Sequence, residues 1–162
     1  MGRNGNRGDG LFIGAGLLLG IGLGGLFDGI VLHQILQWHH MVSHVDRYDP
    51  ATVSGLEANT LADGLFHAVT YVFLVAGLWC LWRYAERPAA GWSTTAFIGL
   101  LLMGFGTFNL VEGVINHLVL EVHHVRDKSE RQLAWDLGFL AWGLAMLGGG
   151  WALARRSDRT AS

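Results

Sequence analysis

The chain has 162 residues, which is the length of one domain, and only 15% of them are charged, against roughly 25% in soluble domains. With 51% hydrophobic residues and a mean hydropathy of +0.35, the composition predicts a membrane protein. The formal net charge of −2 argues against a nucleic-acid partner, and the single cysteine, Cys80, excludes a disulfide or a cysteine metal cluster.

Four apolar stretches approach the ~20 residues that a membrane-spanning helix needs. Because only helices and closed barrels satisfy their backbone polar groups in lipid, they predict an all-α integral membrane four-helix bundle. Arg3 and Arg7 precede an apolar run that is too long for a cleavable signal peptide. The run therefore predicts a signal anchor that stays in the protein. The stretches lie at about 11–37, 65–82, 94–120 and 133–154. The predicted domains are an unstructured tail (1–10), a transmembrane domain (11–154) and a cytoplasmic tail (155–162).

The helices are predicted in chain order from apolar runs and capping signals. Helix one is expected to run from Leu11 to His44, and helix three from Ser93 to Val125. Thr60 with Asp63 resembles a capping box that opens helix two, and Ser129 with Gln132 resembles one that opens helix four. Helix one carries Gly20/Gly24 and Gly25/Gly29 at the spacing that lets membrane helices approach closely.

A polar pattern in helix one returns 84 positions later in helix three. Asp28 corresponds to Glu112, His33 to His117, and the pair His39-His40 to His123-His124. The pattern predicts two tandem helical-hairpin repeats, at about 11–83 and 93–154, related by a parallel pseudo-two-fold axis along the membrane normal.

The distribution of Lys and Arg predicts the orientation of the chain. The termini and the 83–91 loop hold seven of these residues, and the other two loops hold four. The excess places both termini in the cytoplasm and the histidine-rich end on the extracytoplasmic side.

The intramembrane polar residues collect at that end of the bundle. Neutral imidazole and carboxylate are ligands of Zn, Fe and Cu(II), and facing helices of a bundle build such sites. The sequence therefore predicts one or two transition-metal ions, held for metal-dependent redox chemistry or for metal handling. The principal ligands are predicted to be His33, His40, His67, His117 and His124, with Asp63 and Glu121. A further set of residues is predicted to support those ligands, to bind the metal at a greater depth in the membrane, or to carry protons. These residues are Asp28, Glu112, Asn116, His39, His123, Gln37 and His44.

Three alternatives remain at this stage. A b-type haem protein would use a bis-His pair such as His33 with His117. A proton or ion transporter would use the intramembrane carboxylates Asp28 and Glu112 as a path. A structural or assembly factor would need no ligands, which the duplicated histidines argue against. The sequence does not predict the oligomeric state.

Three segments resemble a bacterial family of four-span membrane proteins known as domain of unknown function 2243. They are Phe27–Met41, Ala62–His67 and Phe108–His117, with the motifs Asp-Gly-x-x-x-His-Gln and His-His. The resemblance covers roughly residues 10–155 and implies a bacterial inner-membrane location, without an established activity. The resemblance is also consistent with a role in metal handling for another membrane enzyme, such as a respiratory oxidase.

Overall fold

Four long helices make up the protein. The computed structural model describes the backbone of residues 3–88 and 90–160 and the side chains of residues 10–88 and 90–156. The helices are α1 (Arg3–Phe27), α2 (Val53–Ala85), α3 (Thr94–Glu112) and α4 (Gln132–Thr160). Four segments are long and apolar enough to cross a membrane, namely Gly10–Ile35, Val53–Ala85, Thr94–Val119 and Gln132–Arg156. No strand occurs within the described ranges, so the all-α, four-span prediction is confirmed.

The helices α1 and α3 each continue into a π-helical segment, Asp28–Ile35 and Gly113–Val119 respectively. Each segment is followed by a residue in the left-handed region, Gln37 with φ 50° and Glu121 with φ 49°. A left-handed residue ends a helix because the backbone can no longer continue the hydrogen-bond ladder. The prediction of continuous helices to His44 and Val125 was therefore wrong, and both His-His pairs lie in loops.

Helix α2 begins earlier than predicted. Thr52, not Thr60, is its N-cap, and the Thr52 hydroxyl accepts a hydrogen bond from Gly55 N at 3.1 Å. The earlier start places Asn59 and Asp63 well inside the helix. Both side chains are buried there and bind the first His-His loop.

The helices pack in the order α2, α1, α3, α4, with α1 and α3 at the centre. The two central helices meet at Gly20 and Gly104. A Cβ atom added to Gly20 would lie 2.8 Å from Gly104 Cα, and one added to Gly104 would lie 2.9 Å from Gly20 Cα. Gly25 and Gly29 lie against Thr70 and His67 of α2 in the same way. The prediction that these glycines serve close helix packing is confirmed.

Several of these features are separated by 84 positions. This spacing is found between the ends of the two π-helical segments, between the left-handed residues Gln37 and Glu121, and between the contacting residues Gly20 and Gly104. The tandem repeat stays a prediction, and so do the tail boundaries, since no side chain before Gly10 is described and residues 1, 2, 161 and 162 lie outside the described chain.

Candidate metal centre

Four buried imidazole rings form the middle of the site. The ring centroids of His33 and His39 are 4.3 Å apart, those of His39 and His123 are 4.5 Å apart, and those of His123 and His117 are 4.9 Å apart. The His39 and His123 rings are nearly parallel, at 5°. None of the four residues is more than 2% exposed. Two of the rings come from the π-helical segments and two from the loops that follow them, so each half of the chain supplies one of each kind.

Two carboxylates lie directly against these rings. Asp28 Oδ2 is 3.1 Å from His33 Nε2, at the junction of α1 with its π-helical segment. Glu112 Oε1, at the end of α3, is 3.1 Å from His117 Nε2 and 2.9 Å from His123 Nε2. The Nε2 atoms of His33, His117 and His123 therefore face acidic oxygen atoms inside the protein.

The Nδ1 atoms of the two loop histidines have partners that fix the tautomer. His39 Nδ1 lies 2.9 Å from the carbonyl oxygen of Val125, and His123 Nδ1 lies 3.0 Å from that of Met41. A carbonyl oxygen only accepts hydrogen bonds, so both Nδ1 atoms must carry the proton. The neutral His39 ring therefore has its lone pair on Nε2, which is the arrangement found in metal-ligating histidines. The His123 Nε2 atom instead lies 2.9 Å from Glu112 Oε1 and donates a hydrogen bond to it.

Two further carboxylates hold the histidines from outside. Asp63 on α2 accepts hydrogen bonds from His33 Nδ1, His40 Nδ1 and Met41 N, each at 2.8 Å. Because one carboxylate binds both the π-helical segment and the loop, it fixes the position of each relative to α2.

Asp136 on α4 has the corresponding role in the second half. It accepts hydrogen bonds from His124 Nδ1 at 2.8 Å and from Val125 N at 2.9 Å. Its Oδ1 atom lies 3.6 Å from His117 Nδ1, which is too far for a hydrogen bond. Asp136 therefore holds the second His-His loop firmly and His117 only loosely.

The two His-His loops also bind each other. His44 N donates to Val122 O at 2.9 Å, and Asp127 N donates to Trp38 O at 3.1 Å. The Ser43 hydroxyl donates to the Asp127 carboxylate. These contacts close the end of the protein over the four rings.

Several buried polar atoms have no hydrogen-bond partner among the described residues. They include His39 Nε2, which has no ion-pair contact, and His33 Nε2, which lies within ion-pair distance of Asp28 but outside hydrogen-bond geometry. An unpaired buried polar atom costs free energy that a ligand can recover. The complete set is Asp28 Oδ1 and Oδ2, His33 Nε2, His39 Nε2, His67 Nε2, Glu112 Oε2, and His117 Nδ1 and Nε2.

Two groups of residues have ligand atoms within 4.8 Å of one another. One is His33, His39 and His123, and the other is Glu112, His117 and His123, all of them buried. Both sets are of the size and chemistry that hold a transition metal.

The remaining residues of the predicted site lie around this centre. His40 and His124 are half-buried on Asp63 and Asp136, and His67 is half-buried beside Gly29. Gln37, His44 and Glu121 are exposed, and Asn116 is half-buried. Asn59 was not predicted; its amide accepts from Val42 N at 3.1 Å and donates to Tyr48 O at 2.7 Å, so it holds the first loop.

The two loop histidines, which lie outside the membrane-spanning segments, differ in charge preference. Burial, followed by the neighbouring His123, places the pKa of His39 well below its ordinary value. Burial also disfavours charge on His123, but the hydrogen bond that its Nε2 donates to Glu112 outweighs burial, and the pKa of His123 is raised. His39 is therefore neutral, which is the form that binds metals.

The four spans and the buried cluster define an integral membrane protein with groups of histidine and carboxylate side chains that could hold a metal ion. The chain belongs to the family described as predicted membrane protein (DUF2243), which matches residues 15–157, and the predicted family resemblance is confirmed. No curated protein and no solved structure matches the chain.

Proposed function

We propose that this protein binds one or two transition-metal ions inside the membrane and uses them in redox chemistry. The proposed ligands differ from the set predicted from sequence. His40, His124 and Asp63 are proposed to support the ligands, Glu121 is exposed, and His67 is in neither group of closely spaced ligand atoms. The ligands are His33, His39, His117 and His123, with Asp28 and Glu112.

The charge of the buried cluster is the observation that carries this proposal. Four carboxylates are buried, and no lysine or arginine side chain is buried in the described part of the chain. Uncompensated carboxylates are costly inside a membrane, so cations in the cluster would stabilise the fold. Imidazole and carboxylate ligands favour Zn, Fe or Cu(II) over Cu(I), and of these only Fe and Cu(II) support the proposed redox chemistry, since Zn has one stable oxidation state. The four carboxylates are Asp28, Asp63, Glu112 and Asp136.

The closed end of the protein supports a resident ion over one that is delivered elsewhere. The two loops bind each other and are held by buried Asp63 and Asp136, so release of an ion would require several of these bonds to break together. We also propose that this closed end of the bundle lies on the extracytoplasmic side of a bacterial inner membrane.

The contacts argue against two of the alternatives. The rings of His39 and His123 lie between His33 and His117, where a bis-His haem would need a flat macrocycle. A transport path between the central helices would meet the backbone contact of Gly20 with Gly104, which leaves no room for water.

The test is the metal content of detergent-purified protein, measured by elemental analysis of the wild type and of a His33→Ala/His117→Ala double variant. We expect about one or two equivalents in the wild type and at least about tenfold less in the variant, because two proposed ligands are lost. His44→Ala is the control, since His44 is exposed, its Nδ1 bonds a backbone oxygen, and it belongs to neither group of closely spaced ligand atoms. Equal metal content in the wild type and the double variant would exclude the proposed centre.

A further inference from the structure

An apolar groove lies beside the centre, against α1, α2 and α3. Its volume is about 320 Å³, which exceeds the roughly 150 Å³ of an engineered cavity that binds benzene. Three phenylalanine side chains line it, Phe66, Phe73 and Phe108, and the three polar residues in its wall are Thr107, Glu112 and Asn116. The volume of the groove is therefore sufficient for a substituted aromatic ring.

Glu112 connects the groove with the centre. Its Oε1 atom contacts His117 and His123, while its Oε2 atom is buried without a hydrogen-bond partner among the described residues. Glu112 is 6% exposed and lines the groove. A molecule in the groove that carries a hydroxyl group could therefore donate a hydrogen bond to this carboxylate.

The polar wall of the groove belongs to only one half of the chain. At the positions 84 residues earlier, Leu32 stands in place of Asn116 and Leu23 in place of Thr107. The corresponding carboxylate, Asp28, is one methylene shorter than Glu112. The ligand set recurs in both halves, so holding the ligands does not require Asn116, and a bound molecule explains this amide. Thr107 needs no bound partner, because its hydroxyl donates to Met103 O of the same helix at 2.8 Å.

We infer that the groove binds a lipid-soluble phenol: an aromatic ring with a hydroxyl group and an apolar tail that extends into the bilayer. The ring packs against Phe66 and Phe108, and the hydroxyl donates to Glu112 Oε2. An acyl chain of a phospholipid fits the apolar wall but leaves Glu112 unpaired. The phenol is inferred to be the substrate of the proposed metal centre, and in that respect the inference rests on the proposed function.

The experiment compares 4-decylphenol with decylbenzene, which lacks only the hydroxyl. Full-length protein in nanodiscs is equilibrated with each probe, and the probe retained above protein-free nanodiscs is measured by mass spectrometry. We expect the phenol to bind at least about tenfold more tightly, because a site built around a hydroxyl discriminates against its loss.

Two tryptophan substitutions on α3 and its π-helical extension locate the binding. Ile115 lines the groove and Ile98 does not, yet each is 46% exposed, so Ile115→Trp and Ile98→Trp are matched in the lipid contact they alter. Ile115→Trp is expected to weaken phenol binding at least about tenfold, and Ile98→Trp to leave it unchanged. If Ile115→Trp does not fold, Val111→Trp, which also fills the groove from an exposed position, replaces it.

Equal affinity for the two probes would overturn the inference, because the groove would then accept any apolar chain. Retention of phenol binding in the folded groove variant would overturn it as well. Metal content measured in the same samples separates the two proposals. Selective phenol binding by protein that contains no metal would exclude the metal centre and support the phenol site. Metal-loaded protein that does not prefer the phenol would exclude the phenol site and support the metal centre.

Discussion

The Asp63→Ala variant is expected to lose metal affinity by about 10–100-fold, because groups that orient metal-ligating histidines contribute that much. Asp63 accepts hydrogen bonds from His33 Nδ1, His40 Nδ1 and Met41 N, each at 2.8 Å. Its removal leaves the His33 ring without an orienting partner. It also removes the two bonds nearest to His39 that tie its loop to α2, those from His40 Nδ1 and Met41 N, and leaves the bond from Val42 N to Asn59.

The same variant is expected to be less stable by about 3–5 kcal/mol, which is the usual cost of removing one partner from a buried ionic network. Metal content by elemental analysis and the free energy of unfolding in one detergent measure the two effects. Glu57→Ala is the matched control, because Glu57 is an exposed acidic residue of the same helix. An Asp63→Ala protein with the metal content and stability of the Glu57→Ala protein would show that Asp63 does not support the site.

The sequence pattern predicted the four spans and located the polar end of the bundle, because hydropathy and the 84-residue spacing depend only on residue order. It placed Asp28 five residues before His33 and Glu112 five residues before His117, at the same end of the bundle. Those positions stay on helical backbone in the structure, so their neighbours could be anticipated.

The roles within each His-His pair could not be predicted in the same way. The prediction of His40 as a principal ligand assumed a regular helix from Leu11 to His44. In the structure the backbone instead turns at Gln37, which is in the left-handed region. The turn places His39 in the centre and His40 on Asp63. Neither Gly nor Pro stands between Gly29 and His44 to signal the end of the helix. The helix ends there because tertiary hydrogen bonds to Asp63 and Asn59 hold the loop, and such bonds join residues distant in sequence.

The crossing of α1 and α3 controls the whole site, because each central helix carries one half of the ligands. His33 and His39 follow α1, and His117 and His123 follow α3. The rings of His39 and His123 meet at 4.5 Å, so a displacement of one helix against the other by an ångström or two separates the two halves of the centre. The position of the four histidines therefore depends on a contact 13 or more residues before them in each half of the chain.

Gly20→Ala is accordingly expected to destabilise the protein by about 1–3 kcal/mol, the usual cost of overpacking. Its new Cβ would collide with backbone atoms of α3, which cannot move aside as a side chain can. Gly64→Ala is the matched control, since a Cβ at Gly64 of α2 has nothing within 4 Å. There the loss of glycine flexibility is expected to raise stability by about 0.5–1 kcal/mol. The free energy of unfolding is therefore expected to change with opposite signs in the two variants. Metal content is expected to fall in Gly20→Ala and to stay unchanged in Gly64→Ala if the α1–α3 contact positions the centre. A Gly20→Ala protein as stable and as metal-loaded as Gly64→Ala would contradict that dependence.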